Sequence, residues 1–133
     1  MTLVIGIGSL LHGDDAAGRL AARALGGREV VQLTPELAED VAAAEAVLFL
    51  DAAPDASEVE VVAVRAGSPE AGSHAATPSS LLGLANALYG RVPERCALLR
   101  IPATRLDVGE GLSPQAAAAV RRAVALGTQW VSA

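Results

Sequence analysis

The amino-acid sequence predicts an α/β protein, a three-layer α/β/α sandwich around a mostly parallel, five-stranded sheet. Short apolar runs rich in β-branched residues alternate along the chain with segments whose apolar residues recur at helical spacing. The length of 133 residues suits one domain with one core. Regular alternation of strands and helices typically places helices on both faces of a largely parallel sheet.

The first half of the chain contains three predicted strands and two predicted helices. Residues 3–8 form a short apolar run that ends in glycine, which indicates a buried strand. Residues 15–25 show helical spacing and are followed by two glycines, which predicts a helix that ends there. Residues 29–33 predict a second strand, residues 34–44 a helix that starts with threonine and proline, and residues 46–51 a third buried strand.

The second half adds two strands, two helices and a long loop. Residues 58–65 begin with alternating acidic and apolar residues, which is typical of a strand at the edge of a sheet. Residues 66–78 are rich in glycine and proline and predict a surface loop. A helix follows from 78 to about 89, then a strand at 96–101 and a final proline-started helix over 114–126.

Composition excludes several classes of partner. The net charge is −5 and the ten basic residues are all arginine, so the chain has no basic stripe for nucleic acid. Although 52% of the residues are hydrophobic, no apolar run reaches the roughly 20 residues that span a bilayer. The first predicted strand begins directly after Met1, with no basic region before it and no small-residue cleavage site after it, so we expect no signal peptide. We therefore expect a cytoplasmic protein that binds neither nucleic acid nor membrane.

The single cysteine, Cys96, limits the redox and metal chemistry. One cysteine excludes an intramolecular disulfide and a zinc site built from several thiolates. Because Cys96 opens an apolar run, we interpret it as a small buried thiol and not as a nucleophile.

The glycine-rich segment after the first strand could suggest a dinucleotide site. The dinucleotide motif requires a third glycine where this chain has Leu11, and the adjacent acids Asp14 and Asp15 would repel a pyrophosphate. A carboxylate here could simply cap the next helix. Alternatively, both acids could converge with Asp51, because ligands of such sheets gather at the carboxyl ends of strands. Three acids together with a histidine would suit a divalent cation such as nickel, zinc or manganese.

Residues 6–18, from Gly6 through the two acids to Gly18, resemble the opening motif of the hydrogenase maturation endopeptidases. The resemblance continues through residues 32–37, 48–52, 81–85 and 111–114, and so covers nearly the whole chain as one domain, 1–133. It implies a phosphorylase/hydrolase-like sandwich. Ser9 departs from the family pattern, which usually has asparagine at this position.

The resemblance also implies a nickel site. Asp15 and Asp51 match two family ligands and are the implied catalytic residues, whereas Ser80 stands where the family usually has its third ligand, a histidine. Serine is a poor ligand for nickel. We therefore rank His74, in the long loop, as the third ligand and His12 below it.

The activity implied by the resemblance is removal of a C-terminal peptide from the large-subunit precursor of a nickel-iron hydrogenase after nickel insertion. Nickel would arrive with this protein partner, other divalent cations could substitute for it, and the enzyme would be a monomer. Since no serine or cysteine has an obvious base in the sequence, carboxylate or metal-assisted hydrolysis is expected. Two alternatives stay open: a non-catalytic relative that binds metal or protein, and a small-molecule hydrolase on the same fold.

Overall fold

A computed structural model describes residues 1–69 and 76–133 and contains a five-stranded sheet with the order β2-β1-β3-β5-β4. The strands are β1 Thr2–Ile7, β2 Arg28–Val30, β3 Ala46–Ala53, β4 Glu60–Ala63 and β5 Arg95–Pro102. β1, β2, β3 and β5 run parallel, and β4 pairs antiparallel with β5. The mostly parallel, five-stranded sheet predicted from the sequence is confirmed, and the predicted edge strand lies at the edge.

In the described part of the chain, four α-helices cover the two faces of this sheet. They are α1 Ala17–Ala24, α2 Ala38–Ala43, α3 Pro78–Tyr89 and α4 Pro114–Ser132. α1 and α4 pack on one face, over alternate residues of the central strands such as Leu48, Leu50 and Leu99. α2 and α3 pack on the other face, over Val47 and Phe49. This division of each strand between two apolar cores is the reason the central strands are apolar throughout.

Several predicted boundaries were wrong. The first and second helices each begin with a 3₁₀ turn, over Gly13–Ala16 and Pro35–Leu37. β2 ends at Val30 and not at residue 33, because β1 ends at Ile7, its register partner, and offers no further backbone groups. β3 continues past residue 51 because β5 pairs with it as far as Ala53. The last helix also extends beyond residue 126.

Helix α1 lies unusually close to the sheet because of two glycines. A Cβ on Gly18 would lie 2.4 Å from the carbonyl oxygen of Leu50 and 2.7 Å from that of Ile7. A Cβ on Gly6 would lie 2.4 Å from the carbonyl oxygen of Gly18. Backbone therefore packs on backbone, and the 3₁₀ turn that precedes α1 is held against the carboxyl ends of β1 and β3.

No helix in the described part of the chain is long and apolar enough to cross a membrane.

Candidate active site

The candidate site lies at the carboxyl ends of the central parallel strands. β1 and β3 are neighbours, with Gly6 beside Leu50. Asp51 is the next residue of β3, and Asp15 lies in the 3₁₀ turn that follows β1 and contacts β3. The edge of a parallel sheet where its strands end is the usual place for ligands in such folds.

The loop after β1 fixes the position of Asp15. The backbone N–H of Ser9 donates to Oδ2 of Asp15 over 2.8 Å. Gly8 has a φ of +145°, and a Cβ there would lie 2.0 Å from the carbonyl oxygen of Asp15. Only glycine therefore fits at this approach. The carboxylate of Asp15 is partly exposed and is held by one backbone donor.

Asp51 has a perturbed proton affinity. Burial raises the pKa of Asp51 to about 6, and the nearby charge of Asp15 raises it further, against the opposing effects of the Ala52 amide and Arg100. The negative charge of Asp15 thus opposes the ionisation of Asp51. A carboxyl group with the pKa of Asp51 can exchange a proton near neutral pH, as general acid–base catalysis requires.

Asp14 points away from this pair. Its side chain is fully buried and accepts five hydrogen bonds from the segment after β5. Thr104 and Ser113 each donate two of them, one from the backbone N–H and one from the hydroxyl, and the backbone N–H of Arg105 donates the fifth. Burial works to raise the pKa of Asp14, but these hydrogen bonds outweigh it and hold the pKa well below its usual range. Asp14 is a structural anchor for the segment 104–113.

Two expectations for the acids are therefore wrong. Asp14 does not converge with Asp15 and Asp51, because Thr104 and Ser113 satisfy its carboxylate elsewhere. The expected capping hydrogen bond is also wrong, since no side-chain cap hydrogen bond is made at the start of the 3₁₀ turn or of α1. Both acids do lie in the first turn, where negative charge complements the helix dipole. Of the three acids, Asp15 is the one whose charge acts on Asp51.

The serine at the expected histidine position, Ser80, has a local structural role. It is buried in the first turn of α3 and forms a capping box with Thr77, the residue that precedes the helix. Its hydroxyl accepts from the Thr77 N–H over 2.9 Å and donates to the Thr77 carbonyl over 3.1 Å. Both functions of the hydroxyl are thus occupied by the helix start.

Of the two histidines, the structure describes His12. His74 lies outside the described residues. His12 is exposed, and its Nδ1 lies 2.8 Å from Oγ of Ser9. Among residues 1–69 and 76–133, no three His, Cys, Asp or Glu side chains form a group that could hold a metal ion. The structure therefore brings together Asp15 and Asp51 and does not gather His12 with them.

The Ser9–His12 contact was not anticipated from the sequence, which offered no serine with an obvious base. The hydroxyl of Ser9 also accepts from the Leu11 N–H over 3.2 Å. In the described part of the chain, no carboxylate hydrogen-bonds to His12 to orient it. The contact therefore lacks the third member of a catalytic triad.

Sequence reasoning also missed Arg100. It is the register partner of Asp51 on β5, and its guanidinium pairs with Asp55 and, over 3.5 Å, with Glu60. No signal in the sequence marks it, because its place beside Asp51 depends on the strand order. Cys96 lies near the opposite end of β5, and burial raises its pKa to about 12, which makes its thiol a poor nucleophile.

The fold is shared with solved hydrogenase maturation proteases. The hydrogenase maturating endopeptidase HybD from E. coli superposes with a TM-score of 0.73 at 21% identity, covering 98% of this chain and 91% of that chain. The [NiFe] hydrogenase maturation protease HybD from Thermococcus kodakarensis gives 0.72 at 24% identity, covering 97% of both chains. HycI from the same organism, also a [NiFe] hydrogenase maturation protease, gives 0.70 at 21% identity, covering 99% and 92%.

No protein-family model matches the sequence, and no curated protein sequence matches it significantly. At the identities of the solved structures, the likeness establishes the fold.

Proposed function

We propose that this chain is an endopeptidase that removes the C-terminal peptide of a nickel-iron hydrogenase large-subunit precursor after nickel insertion. The main support for the proposal is the fold, because solved hydrogenase maturation proteases superpose on 97–99% of this chain. The proposed enzyme is a hydrolase of the aspartic type. It acts in the cytoplasm as a monomer.

The acid pair supports this assignment. Asp15 and Asp51 lie at the strand ends where ligands of such sheets bind, and their carboxyl groups interact electrostatically. In the proposed reaction, water attacks the scissile carbonyl, Asp51 accepts the proton from water, and the same proton passes to the leaving amine. A carboxyl group with a pKa of about 6 can perform both transfers near neutral pH.

Nickel enters this scheme as cargo of the precursor. The two carboxylates offer oxygen ligands that a divalent first-row metal accepts, and the remaining ligands come from the precursor and from His74, which we retain as the third ligand of this chain. The protease would then recognise a metal-loaded precursor. This coupling explains why two half-buried carboxyl groups lie at the carboxyl ends of the strands, where the charge of one opposes the ionisation of the other.

The test combines cleavage with metal binding. The nickel-loaded precursor is incubated with wild type, Asp15→Asn, Asp51→Asn and His74→Ala, and the C-terminal truncation is followed by mass spectrometry. Asp107→Asn, which removes an exposed loop carboxylate, is the matched control. Cleavage by wild type and the control but not by the aspartate variants supports the proposal. Absence of cleavage by wild type contradicts it.

A second candidate is a non-catalytic relative that binds metal or protein through the same crevice. The capping box of Ser80 favours it, because the usual histidine is replaced by a side chain committed to the helix start. Nickel titration by calorimetry separates the two. Nickel binding that requires Asp15 and Asp51, without cleavage of the loaded precursor, would establish this second candidate.

A further inference from the structure

Strand β4 is an open edge of the sheet. In the described part of the chain it pairs only with β5. Edge strands are usually protected by lysine, proline or bulges, because their unpaired backbone groups invite another strand. β4 has one charged residue, Glu60, followed by Val61, Val62 and Ala63, and the two valines are 42% and 41% exposed. The edge is therefore available to a further strand.

Specific backbone groups face outward from this edge. The N–H of Val64 donates to the carbonyl of Cys96 over 3.0 Å, so this amide points toward β5. In an antiparallel ladder, residues alternate between inward and outward amides. The amides of Val61 and Ala63 therefore point away from the sheet, and no residue of 1–69 or 76–133 pairs with their N–H and C=O groups.

Grooves lie on both sides of the edge. On the α3 side, a groove of about 390 Å³ is lined by residues that include Val64, Pro78 and Leu98. On the α4 side, a groove of about 500 Å³ is lined by residues that include Val61 and Trp130. Side chains of a strand point alternately to opposite faces. Both grooves reach β4 at its Ala63 end, so an extended peptide paired there would place its side chains alternately into these two grooves.

The edge leads to the acid pair. Because β4 is antiparallel to β5, its first residue, Glu60, lies at the same end of the sheet as Asp51. Glu60, Arg100 and Asp51 form one row across three strands, and Arg100 pairs with Glu60. A strand added outside β4 would lie three strand spacings from Asp51, about 14 Å. About four extended residues span this distance.

We propose that β4 docks an extended segment of the protein substrate as a sixth strand, which delivers the scissile bond to Asp15 and Asp51 about four residues beyond the paired segment. The identity of the segment, as the C-terminal region of the precursor, rests on the proposed function. A second copy of this chain fits the edge less well. Four-residue strands bury far less than the roughly 1,200 Å² of a stable interface, whereas a substrate has further contacts at the active site.

The test uses a synthetic peptide of about 15 residues that spans the cleavage site of the large-subunit precursor, immobilised for interferometry. Its binding is measured to the Asp51→Asn protein, which prevents turnover, alone and combined with Val61→Pro. The proline removes one outward N–H and leaves the inward ladder intact. Val92→Pro, at an exposed loop valine outside β4, is the control for an added proline. A second peptide carries N-methyl groups on every backbone nitrogen of the paired segment, so that the N–H groups facing β4 are blocked in either register.

Docking on β4 predicts that Val61→Pro and the N-methylated peptide each weaken binding about tenfold or more, while Val92→Pro leaves it unchanged. Equal binding of both peptides, unaltered binding by Val61→Pro, or no binding overturns the proposal. So does a dimer in light scattering that Val61→Pro dissociates, which would assign the edge to a second copy. If the peptide binds in a way that depends on β4 but the wild-type protein does not cleave the precursor, the proposed function alone is rejected. If the Val61→Pro variant with Asp51 intact cleaves the precursor as fast as wild type, the docking alone is rejected.

Discussion

Replacement of Asp14 by asparagine tests the assignment of the two adjacent acids to different roles. Asparagine keeps the shape of the side chain, but its amide nitrogen is a donor and its charge is lost. Four donors approach Oδ2 of Asp14, and the N–H of Ser113 approaches Oδ1 over 2.7 Å. In either orientation, the new NH₂ group faces at least one buried donor.

The size of the effect follows from these contacts. Hydrogen bonds to a charged acceptor contribute about 1 kcal/mol more each than neutral ones, and a buried donor without a partner costs about 1–3 kcal/mol. We expect Asp14→Asn to lower the free energy of unfolding by about 3 kcal/mol and the melting temperature by roughly 10 °C. Asp15→Asn, which alters one bond of a partly exposed carboxylate, is the matched control and should change stability by less than about 1 kcal/mol.

Urea denaturation at several pH values measures both the size and the sign. Because folding lowers the pKa of Asp14, its stabilisation is present above the unfolded-state pKa, near 4, and is lost as the pH falls below it. The gap between wild type and Asp14→Asn should be widest at neutral pH and shrink in acid. Equal stability of Asp14→Asn and Asp15→Asn at pH 7 would refute the anchor role.

Three further predictions concern the site and its support. Asp51→Asn should abolish cleavage and yet stabilise the protein by about 1–2 kcal/mol at pH 7, with no gain below pH 4. The reason is that ionisation of Asp51 opposes folding as the pH rises through its pKa of about 6. Urea denaturation across this pH range measures the change, and a variant less stable than wild type at pH 7 would contradict the prediction. Gly18→Ala should destabilise the fold by about 2–4 kcal/mol in thermal unfolding, because its Cβ would collide with the carbonyl oxygens of Leu50 and Ile7. Gly127→Ala is the control and should be nearly neutral, because its Cβ comes closest to a methyl group of Leu25 that can move aside. Ser80→Ala should reduce stability by about 1 kcal/mol without changing nickel affinity in calorimetry, and a loss of affinity would place its hydroxyl in the metal site instead.

The sequence predicted those parts of the fold that local patterns determine. The central strands were found because burial on both faces makes them apolar throughout. Helix α3 was found from Pro78 at its start and Gly90 after its end, where the glycine adopts a φ of +66°. The location of Asp51 followed directly, because it comes at the end of such an apolar run.

Roles that depend on distant contacts were not visible. The partners of Asp14 lie 90 to 99 residues away in the sequence, so its burial cannot be inferred from the helix start beside it. The role of Arg100 depends on the strand order, which brings β5 beside β3. The short length of β2 likewise depends on where its neighbour β1 ends.

The most direct test of the central claim is mass spectrometry of a nickel-loaded hydrogenase large-subunit precursor after incubation with this protein. We predict a single C-terminal truncation with wild type and none with Asp15→Asn or Asp51→Asn, both folded as judged by circular dichroism. An intact precursor after incubation with wild type, or equal truncation by the aspartate variants, would contradict the claim.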